Sequence, residues 1–323
     1  MLLTPTGAPA GRDATPGASC RPTPPGPFNA TPEDEAAWAA LTARRATVAA
    51  QQQETPGRTL RLYYRFARLG LHLLEGAVLA VFSGAAFVQY KPYQQRVIRW
   101  WHRRFCKILN LDIRVHGKVA DGHALWVSNH VSWLDISVLG AHFPVYFLSK
   151  AEVAKWPVVG WLARIAGTLF IQRGAGDAGQ VTEQLAVHLR AGRNVLFFPE
   201  GTTTDGHKLK RFFHKLFSAA TVTQLPIQPV LVCYRDQDDA LHPHAPFVGD
   251  DEFLSHAIEI LKGERITVDI LVLAPELPGG RDPRTLARDI EARMTLALKE
   301  LHGLSVAMAR EEAAVVEEPS GSV

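Results

Sequence analysis

Cysteine is scarce in this chain of 323 residues: Cys20, Cys106 and Cys233 are far apart and odd in number. That argues against a disulfide framework and a cysteine-ligated zinc site, and a reducing compartment fits best. Net charge is only +3, too small to imply a nucleic-acid partner. No internal repeat is visible, and no secretory leader is expected, since Met1-Leu-Leu is followed at once by Thr4-Pro-Thr-Gly7. His242 and His244 have a spacing that suits metal, but they lack an evident third ligand and sit beside Pro243 and Pro246, so no metal is expected. What remains is globular, 47% hydrophobic and 21% charged, with material for one large catalytic domain or two small ones.

Residues 1 to about 32 are rich in Pro, Thr, Gly and Ala, a composition too poor in apolar area to offset chain entropy. From Pro32 to Gln53 the alanines, Trp38 and Leu41 favour a helix lying loosely on the surface, so residues 1–57 read as a disordered or loosely helical extension. Leu69 to Tyr90 is the most apolar stretch and has no charge from Gly76 to Val88, yet His72 and Glu75 interrupt a length near the roughly 20 residues a span needs. Arg58, Arg61, Arg65 and Arg68 precede it, and Lys91, Arg96, Arg99, Arg103, Arg104 and Lys107 follow it. Basic flanks on both sides suit a hairpin or re-entrant helix that dips into one leaflet. Tyr93 to Leu109 has the composition of an interfacial amphipathic helix; the alternative is a buried helix with a snorkelling basic rim. Residues 58–110 are therefore expected to form a membrane-associated helical segment.

From Leu111 strands and helices alternate. Strands are expected at 112–116, 124–128, 145–149, 168–172, 194–198, 227–234 and 266–274, with helices at 134–141, 158–166, 179–190, 212–223 and 285–301. The pattern predicts an α/β domain over 111–304, a mixed sheet covered by helices, followed by a loose tail at 305–323.

Within it, the apolar run Ala124-Leu-Trp-Val-Ser128 delivers Asn129, His130 and Asp135 at its end, where open α/β sheets place their sites. An imidazole can accept a proton near neutral pH, and Asp135 is close enough along the chain to hold one ring nitrogen. The spacing alone is weak: with thirteen histidines and one kind of carboxylate at about one position in twenty, an accidental pair is nearly expected. His116 and Asp121 are such a pair, flanked by Gly117 and Gly122 in what reads as a hairpin turn.

Three further stretches separate the two cases: Gly167-Thr-Leu-Phe-Ile-Gln-Arg173, Phe197-Phe-Pro-Glu-Gly-Thr-Thr-Thr204 and Pro226-Ile-Gln-Pro-Val230. In this order, over about residues 120 to 235, the four blocks resemble the PlsC-type glycerolipid acyltransferases, which include the 1-acylglycerol-3-phosphate acyltransferases. The resemblance implies transfer of a fatty acyl group from acyl-CoA or acyl-carrier protein to the free hydroxyl of a lysolipid, a 1-acylglycerol-3-phosphate-like acceptor being the first expectation and lyso-ornithine lipid or another lysophospholipid the alternative. It implies a membrane surface with the site on its cytoplasmic face, and no cofactor beyond the thioester co-substrate. It casts His130 as base and Asp135 as its orienting partner, Arg173 as the grip on the acceptor's phosphate, and Glu200, Gly201 and Thr202 as acceptor binders. Lys150 matches a basic position near the acceptor.

Chemistry supports these assignments independently. Acyl transfer to an alcohol needs a base for the hydroxyl and help for the carbonyl oxygen, and since the substrate supplies the nucleophile, Ser128 and Ser132 read as structural. Arginine suits bidentate phosphate binding, with a structural ion pair as the alternative for Arg173; a glutamate here could instead hold a loop. One departure concerns the acceptor. Acylglycerol-phosphate enzymes commonly read Glu-Gly-Thr-Arg, whereas this chain has Glu200-Gly-Thr-Thr203. The loss of an arginine contact worth about 1.5 to 3 kcal/mol brings acceptors such as lyso-ornithine lipid into play. Beyond the turn, His207 to Lys215 interleaves cations with Phe212 and Phe213, suiting an anionic bilayer, the phosphates of CoA or an ordinary amphipathic helix. A non-catalytic membrane-binding protein, or a hydrolase using the same His-Asp pair with water, are the rivals of other classes.

Overall fold

The structure, a computed structural model of the chain, describes residues 32–51, 56–82, 91–171, 178–238, 240–249 and 251–316. The run expected to be disordered, the segment 83–90 and the last seven residues lie outside these. The elements in chain order are α1 (Pro32–Gln51), α2 (Pro56–Phe82), α3 (Pro92–Ile108), β1 (Leu111–His116), β2 (Leu125–Ser128), α4 (Leu134–His142), β3 (Val145–Lys150), α5 (Val159–Ile165) and β4 (Leu169–Ile171). They continue with α6 (Ala178–Arg190), β5 (Asn194–Phe197), α7 (Ser218–Thr223), β6 (Ile227–Arg235), α8 (Phe253–Lys262), β7 (Ile266–Val272) and α9 (Pro283–Val316).

Among the described residues seven strands form one sheet in the order β1-β7-β6-β2-β5-β3-β4. Every pairing is parallel except β6 with β7, so the mixed sheet expected from the sequence is present. β2 is central and buried on both faces, which explains its unbroken apolar run. The two-residue period sorts its side chains: Trp126 faces a core with Leu134, Val138 and Leu139 of α4, while Leu125 and Val127 face one with Leu185 of α6 and Ile290 of α9. Gly192 closes α6 with φ +74°, and a Cβ there would come within 2.9 Å of the His123 ring.

Several expectations need correction. β1 and β2 form no hairpin, because β7 and β6 lie between them; His116 instead bonds Asp269 of β7 at 2.9 Å. Residues 212–223 are not one helix. Glu291 accepts the Phe212 N–H and the Pro199 carbonyl accepts that of Phe213, pinning the chain as a strap before a short 3-10 turn and α7. α8 was not anticipated, and α9 continues to Val316 where a loose tail was expected from 305. α1 is bound to the domain rather than loose, through Arg44 and Arg45.

α2 has one buried face and one exposed apolar face. Arg65, His72, Gly76 and Ala80 are buried; Leu60, Tyr63, Leu71, Leu74, Val78 and Val81 are exposed. The residues that interrupt the apolar stretch are held by α3: the His72 ring stacks on Trp101 with centroids 4.5 Å apart, and Arg104 pairs with Glu75 at 2.9 Å. Among the described residues no helix is long and apolar enough to cross a membrane.

Candidate active site

β2, β3, β4, β5 and β6 all run the same way, so their carboxyl ends line one sheet edge. The chain leaves β2 at Ser128 and turns into α4 within six residues. Asn129 begins the turn by acting as a ladder residue: its side-chain amide donates to the Val232 carbonyl at 2.9 Å, and its oxygen accepts the Val232 N–H at 2.8 Å. That pair ties the turn to β6.

Asp135, in the first turn of α4, folds back over the residues before it. Its Oδ2 accepts from His130 Nδ1 at 2.7 Å and from the backbone N–H groups of Val131 and Ser132 at 2.8 and 3.0 Å. This is the physical content of the four-residue gap: it lets one carboxylate oxygen close the turn and hold the ring. The other oxygen, Oδ1, accepts from the hydroxyl of Tyr234 at 2.6 Å. Burial first, and then the Asp135 charge, push the Tyr234 phenol well above its usual range, so it stays a donor. Asp135 is fully buried, whereas the His130 side chain keeps 21% of its surface. With Nδ1 donating to Asp135, Nε2 is left to act as acceptor.

β5 supplies the second wall. Phe198 stacks on the His130 ring with centroids 3.9 Å apart. Glu200 Oε1 accepts the His130 N–H at 2.8 Å, and Oε2 accepts the Lys210 N–H at 2.7 Å. The Thr204 N–H returns a bond to the His130 carbonyl at 2.8 Å. His130 is thus gripped by its ring and by both of its backbone polar groups. Burial pushes the Glu200 carboxyl up to about 8 despite the two N–H donors. Gly201 follows with φ +72°, a conformation that disfavours a side chain, and leads to Thr202 and Thr203, both half-buried.

The structure therefore brings together His130, Asp135 and Glu200, with Gly201 and Thr202 on the adjoining turn. Lys150 is exposed at the carboxyl end of β3, two strands from β2, and its Cα partner is Ile171 at the end of β4. Arg173, two residues beyond Ile171, lies outside the described residues. The His242 ring has another use: its Nδ1 accepts the backbone N–H groups of His244 and Ala245, and its burial drives the ring down to about 3. Among the described residues no group of three or more potential ligands could hold a metal.

Sequence reasoning missed Tyr234 and Phe198. Phe198 carried a usable signal, since it directly precedes the Pro199-Glu200-Gly201 turn at the end of an apolar strand run. Tyr234 carried none, being one ring near the end of a strand buried along its whole length.

Residues 112–233 match the family model described as Acyltransferase. The chain is 45% identical over 243 residues to the lyso-ornithine lipid O-acyltransferase of Pseudomonas aeruginosa, a match covering 74% of this chain and 94% of that protein. It is 37% identical over 132 residues to the 1-acyl-sn-glycerol-3-phosphate acyltransferase of Neisseria gonorrhoeae, covering 39% of this chain and 52% of that one. The crystal structure of the 1-acyl-sn-glycerophosphate acyltransferase PlsC from Thermotoga maritima superposes with a TM-score of 0.57 at 20% identity, covering 76% of this chain and 95% of that one. That last likeness concerns the fold.

Proposed function

This chain belongs to the PlsC-type acyltransferase family, and from that premise we propose that it acylates the free hydroxyl of lyso-ornithine lipid, with His130 as general base. The acceptor hydroxyl gives its proton to His130 Nε2 as its oxygen forms a bond to the thioester carbonyl carbon. Asp135 favours the imidazolium so formed. When the carbon–sulfur bond breaks, the imidazolium returns the proton to the departing thiolate, leaving an ester and a free carrier thiol. The donor is acyl-CoA or acyl-carrier protein.

The observation that carries the chemistry is the closed set of bonds around His130: ring to Asp135, Asp135 to Tyr234, and both backbone groups to the Glu200–Thr204 turn. A base held on every side except Nε2 is pre-organised for one proton transfer. The acceptor assignment is supported by the name of the Pseudomonas relative and by Thr203, where acylglycerol-phosphate enzymes commonly have arginine. Arg173, Glu200, Gly201, Thr202 and Lys150 are assigned to acceptor binding.

We place the enzyme on the cytoplasmic side of a membrane surface. The exposed apolar stripe of α2, with Tyr93 and Trp100 of α3 beside cationic neighbours, supports the membrane surface; the cytoplasmic side is what the family resemblance implies. A second acceptor, 1-acylglycerol-3-phosphate, is favoured by the Neisseria relative. Detergent-purified protein given labelled acyl-CoA or acyl-carrier protein should acylate lyso-ornithine lipid in preference to 1-acylglycerol-3-phosphate. The reverse preference would move the assignment to the phosphate acceptor, and no product with any lysolipid would defeat it.

A further inference from the structure

α1 lies outside the matched family region of 112–233, yet two of its arginines are committed to a loop that touches the active-site turn. Arg45 donates through Nε to the Pro243 carbonyl at 2.9 Å and through Nη2 to that of Pro246 at 2.6 Å. Its Nη1 pairs with Asp251 at 2.9 Å, and both side chains are largely buried. Trp38 closes the contact, because Gly249 with φ +63° leaves only enough room for its ring: a Cβ there would lie 2.8 Å from Trp38.

The loop passes that grip on. The Phe247 N–H donates to the Val131 carbonyl at 2.9 Å. Trp133 Nε1 donates to His256 Nδ1 at 3.0 Å, and His256 Nε2 is 3.0 Å from the Pro246 carbonyl, the same oxygen that Arg45 binds. Since Trp133 can only donate, His256 Nδ1 is the acceptor and Nε2–H the donor. Burial, which holds His256 below its ordinary range, keeps it in that neutral form. Val131 and Trp133 both lie between His130 and Asp135. Two independent bonds therefore tie the turn to a loop whose own position is fixed from α1.

We propose that Arg45 is a positioning residue for the His130–Asp135 turn, acting through Pro246–Phe247 and His256 and never touching substrate. This rests on the reading of His130 as base. Arg44 provides the contrast: it binds the Leu241 carbonyl and Asp236, each at 2.6 Å, upstream of the residues that reach the turn. Losing it should loosen α1 without freeing Pro246 or Phe247.

The test compares Arg45→Met, Arg45→Lys and Arg44→Met in the full chain. Hydrogen exchange of the 129–135 amides is measured with kcat and KM for lysolipid acylation, and thermal unfolding serves as the control. Arg45→Met should speed exchange across 129–135 and lower kcat about tenfold with KM changed less than about twofold, the signature of a misplaced catalytic group. Arg45→Lys, which keeps charge but not the planar fork, should fall between, and Arg44→Met should match wild type in both readouts. Faster exchange confined to 241–249, or wild-type kcat in Arg45→Met, would make Arg45 merely structural and overturn the proposal. Exchange does not depend on turnover, so a wild-type protein inactive on every lysolipid would defeat the proposed function while the 129–135 amides still decided the role of Arg45.

Discussion

Asp135→Asn separates the two duties of Asp135, closing the turn and carrying charge. An asparagine oxygen in place of Oδ2 still accepts from the His130 ring and from the Val131 and Ser132 N–H groups. Its amide in place of Oδ1 can donate to Tyr234, whose hydroxyl can also accept. The fold should therefore survive, with a stability change of about 1 to 2 kcal/mol. The attraction to the imidazolium is what disappears. Unit charges about 4 Å apart in a surrounding of effective dielectric about 20 attract by about 4 kcal/mol, which corresponds to about a thousandfold in rate. Steady-state acyl transfer on the purified variant should fall by about a hundred- to a thousandfold in kcat, with KM little changed. Asp135→Ala, which orphans every donor now satisfied, should lose several kcal/mol of stability as well. An asparagine variant that folds and turns over at the wild-type rate would refute the charge argument outright.

Three other outcomes follow from the same geometry. Tyr234→Phe leaves a buried carboxylate oxygen without its donor, so denaturant titration should show a loss of about 1.5 to 3 kcal/mol, and kcat should fall; a variant as stable as wild type would contradict this. Glu200, pushed from 4.5 up to about 8 by burial, stays protonated in the folded state over a range where the unfolded chain has released its proton. Stability should therefore fall between those two values as pH rises, by about 1.4 kcal/mol per unit from this group, and Glu200→Gln should remove that slope; parallel stability curves would count against it. Thr203→Arg should shift acceptor preference toward 1-acylglycerol-3-phosphate by about ten- to a hundredfold in kcat/KM, the equivalent of one charge-assisted contact of about 1.5 to 3 kcal/mol. Unchanged preference would remove Thr203 from the headgroup pocket.

The sequence displayed the site's local part because that part is encoded locally. His130 and Asp135 are bonded across five residues of chain, and the Glu200-Gly201 turn follows a strand whose apolar run is plain. Glu200 is expected to meet the acceptor, and its two oxygens also accept the His130 and Lys210 N–H groups, so it holds the loop as well, the role the sequence allowed as the alternative. Long-range partners had no such signature. Tyr234 meets Asp135 across 99 residues, and Arg45 meets Asp251 across 206. Strand order was equally hidden: the turn at Gly117 and Gly122 suggested a hairpin, but the later strands β6 and β7 occupy the space between β1 and β2. α1 reads as loose because its alanine-rich sequence has little to bury; its attachment is made largely by hydrogen bonds to loop carbonyls and by ion pairs with Asp236 and Asp251. Periodicity cannot register such bonds.

If His130 is the base of an acyl transfer to a lysolipid, removing its imidazole must abolish the ester product. Wild type and His130→Ala, purified in parallel and matched for thermal unfolding, should be incubated with labelled acyl donor and lyso-ornithine lipid, and the diacyl product resolved from free fatty acid. With His130 as the base, wild type alone should yield diacyl product, without matching release of free fatty acid. Equal product from His130→Ala would contradict it, as would free fatty acid from wild type in place of the ester.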